Sequence, residues 1–126
     1  MKNSNKTLEV KEVKLPAKYI KIGYGKYKLQ LWDKLTASSN EAYGEFFERQ
    51  MAIGIDTNQT GVQLVNTLLH EIMHGIIYQY GMKLDGDADH REETLVNVIT
   101  NGMTTVYSDN PWLLPWMNQQ LNKNSE

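Results

Sequence analysis

The chain has 126 residues, 40% of them hydrophobic and 22% charged, with no cysteine and a formal net charge of −2. That length suits one domain with a modest core and has no room for a second lobe that closes a cleft; the near-neutral charge carries no basic footprint for nucleic acid, and without cysteine there is neither a disulfide framework nor a thiolate metal ligand. No apolar run is long enough for a signal peptide or a membrane helix, so the expectation is one cytoplasmic domain over residues 1–126, frayed at 1–6 and 122–126 and touching neither nucleic acid nor membrane.

In chain order, residues 8–13, 19–32 and 43–55 are rich in β-branched and aromatic side chains, with alternation such as Tyr27-Lys28-Leu29-Gln30-Leu31. They predict a small antiparallel sheet. Gly23 and Gly25 punctuate the second segment, and residues 36–40 read as a polar turn or loop. A sheet edge beside an active-site helix can hold an extended peptide by strand addition, and residues 43–47 or 51–55 are the candidates for that edge.

The next segment changes period. Val62, Val65, Leu68, Leu69, Ile72, Met73, Ile76, Ile77 and Tyr80 recur at helical intervals, predicting an amphipathic helix over Gly61–Tyr80. Thr60 and Gln63 have capping-box spacing at its start, and Gly81 suits the left-handed residue that closes many helices. Gly75, mid-helix, costs about 1 kcal/mol relative to alanine, which points to close approach by a neighbouring segment.

Within that helix lies His70-Glu71-Ile72-Met73-His74, which holds two of the chain's three histidines. Residues four apart share a helix face, so both imidazoles can aim a ring nitrogen at one metal ion, with the Glu71 carboxylate beside the remaining open position. Unbonded imidazoles at the edge of a core would each cost about 2 kcal/mol or more, and a metal removes that cost. The pattern is that of a zinc hydrolase, with Glu71 as general base.

A catalytic zinc takes three protein ligands and keeps one place for water. The candidates for the third are Glu93, Glu92 and His90, at the start of a second helical pattern carrying Leu95, Val96, Val98, Ile99, Met103 and Val106. Asp89 and Glu92 have the spacing of an N-cap and its capping-box partner, which gives Glu92 a structural task and leaves Glu93 as first choice, ahead of Glu92 and then His90. Asn97, one turn beyond Glu93, can orient a ligand by hydrogen bonding. The acidic run from Asp85 to Asp89 imitates a calcium loop, but His90 and Val96 stand where the loop needs glycine and glutamate, so it reads as a solvated linker. Asn110 and Pro111 end the second helix, Pro111 opening a short third one whose Trp112 and Trp116 cover the core.

The run Leu69-His70-Glu71-Ile72-Met73-His74-Gly75-Ile76, with Glu92-Glu93-Thr94-Leu95-Val96-Asn97 and Asn101-Gly102-Met103, resembles the gluzincin-type zinc metallopeptidases, and within them the small ones carried by bacteriophages and prophages. The resemblance covers residues 19–111, specific in the two helices and loose before them. It implies an α+β, minimal zincin-like fold, zinc on His70, His74 and Glu93, Glu71 as general base, a peptide or protein substrate, and a host-cell cytoplasm. Larger gluzincins often carry an aspartate four residues after the ligand glutamate; here that residue is Asn97. The alternative from another functional class is a zinc-binding scaffold that holds a protein partner without hydrolysis. Tyr78, Tyr80, His90, Arg91 and Tyr107 are all available as oxyanion donors, and spacing does not choose among them.

Overall fold

The computed structural model describes residues 14–59, 61–81 and 86–123. The predicted strand at 8–13 and the proposed cap Thr60 lie outside them. Among the described residues the chain is α+β, a four-stranded sheet with four helices. Strand β1 (Tyr19–Ile22) turns back into β2 (Gly25–Trp32) through a two-residue loop whose first member, Gly23, has φ +58°. Such tight hairpin loops favour a positive φ there, which glycine adopts without a steric cost. Ile20, Ile22, Tyr27 and Leu29 alternate inward to make the floor of the core.

After β2 the structure departs from the predicted loop at 36–40. Those residues belong to helix α1 (Lys34–Asn40), which starts because the Asp33 carboxylate accepts the Thr36 backbone N–H at 2.7 Å, the exchange that makes aspartate a good N-cap. The apolar segment 43–55 then divides at a turn over 48–51 into β3 (Gly44–Phe47) and β4 (Ala52–Asp56). The sheet order is β1-β2-β4-β3. β4 pairs antiparallel with β3 but parallel with β2, so the sheet is mixed and the all-antiparallel expectation is corrected. A parallel partner needs a long crossover, and α1 with β3 supplies it. β4, an interior strand, is buried from Ala52 to Ile55, which removes 51–55 as an edge and makes β3 the edge strand.

Helix α2 (Gly61–Tyr80) has the predicted bounds. Leu64, Val65, Leu68, Ile72 and Ile76 form its buried stripe, and it ends as expected at Gly81, with φ +60° and its N–H donating to the Ile77 carbonyl at 3.0 Å. Gly75 marks a close approach: a Cβ there would lie 2.8 Å from Ile22 Cδ1 and 3.3 Å from Phe46 Cε1. Helix α3 (Ala88–Asp109) is capped by Asp87, whose side chain accepts the His90 N–H at 2.8 Å, and not by Asp89, which sits in the first turn. The capping-box role assigned to Glu92 disappears with that shift. In α4 (Leu113–Lys123), Trp116 is buried and meets Trp112 edge-on at 6.3 Å, so the tryptophans do cover the core. Pro111 lies in the turn before α4 and does not open it, and Asn122 and Lys123, expected to fray, belong to its last turn. No helix among the described residues is long and apolar enough to cross a membrane.

The two sheet edges are treated differently. At β1, the buried Asn110 side chain acts as a substitute strand: its Oδ1 accepts the Lys21 N–H at 2.9 Å, and its Nδ2 donates to the Lys21 carbonyl and the Val106 carbonyl, both at 2.8 Å. Asn110→Ala takes these partners from the Lys21 N–H and carbonyl, while the Val106 carbonyl still accepts the backbone N–H of residue 110 at 3.0 Å; the cost of unpaired polar groups sets an expected loss of about 2–3 kcal/mol, read as a lower urea midpoint at unchanged m-value. β3, at the opposite edge, faces the histidine-bearing side of α2.

Candidate metal centre

Helical periodicity divides the motif between two surfaces. His70 and His74 sit on the exposed face of α2, whereas Glu71, a step of about 100° around the axis, turns under β3 and is only 6% exposed. Gly44 makes room for it: a Cβ at that position would lie 2.8 Å from Thr67 Cγ2 and 3.3 Å from Glu71 Cγ. Burial pushes the Glu71 carboxyl above the usual carboxylate range; charge on His70 and His74 pulls it back, and Glu45 adds a smaller upward push.

The two histidine rings converge. Their Nε2 atoms are 3.3 Å apart, with ring centroids 4.9 Å apart and planes inclined at 74°. Two nitrogens bound to one tetrahedral zinc at about 2.0–2.1 Å would be separated by about 3.3–3.4 Å. The donors of His70, Glu71 and His74 all lie within 4.8 Å of one another, and this is the group of that kind among the described residues. Two imidazole nitrogens and a carboxylate oxygen around one point are a donor set that suits zinc.

The residues predicted to complete the set are elsewhere. Glu93, Glu92 and His90 are exposed on the opening turns of α3, and none joins the converging group. With the cap at Asp87, Glu92 and Glu93 are equivalent in having no capping duty.

Two adjoining pockets flank the motif. One, of about 270 Å³, is lined by Tyr43, Gly44, Asn66, Thr67, His70 and Glu71; the other, of about 280 Å³, by Gly44, Glu45, Phe46, His70, Glu71 and His74. They share Gly44, His70 and Glu71, so together they form a groove along the β3 edge. None of the five oxyanion candidates drawn from the sequence lines it; Tyr78 instead stacks against Phe46 at 5.9 Å between ring centroids. Tyr43 and Gly44 fall in the stretch 43–47 that the sequence offered as a peptide-binding edge, whereas Asn66 and Thr67 were missed. Both missed residues had a signal, since Asn66 precedes His70, and Thr67 precedes Glu71, by one turn.

No family model, curated protein or solved structure matches this chain. The functional assignment of the site therefore rests on its own side chains.

Proposed function

We propose that this protein is a zinc-dependent peptidase, with His70 and His74 as metal ligands and Glu71 as general base. The observation that carries the reading is the 3.3 Å approach of the two Nε2 atoms beside a buried carboxylate within ligand range. Bound zinc lowers the pKa of its water towards about 7 and polarises a carbonyl oxygen. Glu71 accepts the proton of the attacking water and returns it to the leaving amine, a role that needs a carboxylate beside the metal but not consumed as its anchor. The peptide lies extended along β3, an edge of the sheet among the described residues, in the groove that runs past Glu71.

In this reading Glu93 supplies the third protein ligand, which requires the exposed first turns of α3 to close over the site. A second reading, zinc held by an interaction module without turnover, is favoured by the observation that only His70, Glu71 and His74 converge among the described residues.

Metal content and cleavage separate these readings. Natively purified protein is expected to carry one zinc per chain by elemental analysis and to cleave members of a peptide library, with cleavage abolished by a chelator and restored by zinc. Glu93→Ala is expected to weaken zinc binding by about 10-fold or more while Glu92→Ala leaves it unchanged; the reverse result transfers the ligand role to Glu92. Zinc without cleavage selects the interaction module, and protein that binds no zinc refutes both.

A further inference from the structure

A buried polar relay joins the start of β3 to the turn of α2 that carries Glu71. The Thr67 hydroxyl donates to Gln59 Oε1 at 2.8 Å, and Gln59 Nε2 donates to the Tyr43 carbonyl at 2.9 Å. That carbonyl also accepts the Asp56 N–H at 2.8 Å, so one oxygen is held by β4 and by the relay together. Gln59 is 4% exposed and Thr67 9%. The direction of the chain is unambiguous: the Tyr43 carbonyl can only accept, so the Gln59 amide presents its NH₂ to it and its oxygen to Thr67.

From these contacts we infer that Gln59 and Thr67 are positioning residues, which set the distance and register of the β3 edge relative to His70 and Glu71. The inference rests on the peptidase reading for its catalytic consequence. Thr67 stands one helical turn before Glu71, and Gly44, next to Tyr43, has no side chain to hold the strand off that turn. The Asp56 N–H ties the strand's entry to β4, and the relay ties it to the helix, adding a directional bond to apolar packing that has no preferred direction. A peptide added to β3 takes its register from that strand, so a small shift of the edge displaces the scissile carbonyl from the water-activating carboxylate. Displacements of about 1 Å at a reacting centre can cost about 100-fold in rate.

The test compares wild type, Thr67→Val and Thr67→Ser. Valine keeps the shape and deletes the hydroxyl; serine restores the donor. In Thr67→Val, amide hydrogen exchange over Gly44–Phe47 is expected to accelerate at least 10-fold more than at the centre of α2, in zinc-free and zinc-loaded protein alike. Zinc affinity, measured by competition with a chromophoric chelator, should stay within twofold of wild type. With a fluorogenic peptide selected on the wild type, kcat/KM is expected to fall about 10- to 100-fold, and Thr67→Ser should recover most of both effects. Uniform acceleration of exchange, or unchanged exchange in β3, overturns the positioning role, as does a kcat/KM per zinc-loaded molecule that does not move. Should the wild type bind no zinc or cleave nothing, the peptidase reading falls, and the exchange pattern of β3 alone decides whether the relay holds the strand.

Discussion

Replacing Glu71 with glutamine is expected to lower kcat/KM for peptide cleavage by about 1,000-fold or more while zinc stoichiometry stays at the wild-type value. General-base catalysis by a positioned carboxylate contributes about 100- to 10,000-fold, and the amide of glutamine cannot take up the water's proton. The two imidazoles are untouched, because His70 and His74 leave the helix on its exposed face and Glu71 on the buried one. Zinc-free protein gives an independent check. The folded-state pKa of Glu71 lies above its ordinary value of 4.5, chiefly because burial disfavours the charged form. The stability associated with the protonated carboxyl is therefore present below 4.5 and lost as pH rises through the raised folded value. Glutamine cannot ionise, so the zinc-free variant should gain stability relative to wild type as pH rises above 4.5. Loss of activity together with a gain in stability is the pattern expected of a catalytic group rather than a structural one. Cleavage that survives Glu71→Gln removes the proposed mechanism. Loss of zinc in the variant would instead make Glu71 a ligand.

Gly54→Ala is expected to destabilise the fold by about 3 kcal/mol, at the upper end of typical overpacking costs. Gly54 lies in the middle of β4, paired with Gln30 on one side and Glu45 on the other. A Cβ there would fall 2.2–2.6 Å from Cζ2, Cε2 and Nε1 of Trp32, inside any permitted carbon contact. The indole has little room to yield. It is 5% exposed, meets Phe47 edge-on at 6.4 Å, and its own backbone carbonyl accepts the buried Thr57 hydroxyl at 2.8 Å. The expected consequence is a melting temperature lower by about 10 °C for a domain of this size. The double variant Gly54→Ala with Trp32→Leu should cost less than the sum of the two single changes, since each relieves what the other crowds or empties. Simple additivity would mean that the ring and the strand do not share this contact.

The two predictions draw on different kinds of knowledge. Helix α2, its buried stripe, its close at Gly81 and the shared face of His70 and His74 were legible in the sequence, because each depends on residues within about one turn of one another, whose relative placement the hydrogen-bond geometry of a helix imposes. The tight approach at Gly75 was legible for a related reason: a glycine that weakens a helix needs a partner that explains it. The cap of α3 was misread by two residues, since the acidic run from Asp85 to Asp89 offers several carboxylates and only backbone conformation selects Asp87.

Tertiary structure alone decided that β3 and not β4 is an edge of the described sheet, that β2 and β4 run parallel, and that Glu71 is covered while the two histidines of the motif are not. Those outcomes depend on pairing between distant segments: Asn110 bonds Lys21 across 89 positions, and Gly44 admits Glu71 because β3 happens to be the strand laid against α2. Strand pairing is chosen by the total burial and hydrogen bonding of the whole sheet, so no local pattern encodes it, whereas a helix carries its own partners along its length. The shared face of the two imidazoles thus belongs to the sequence, and the groove beside them belongs to the fold.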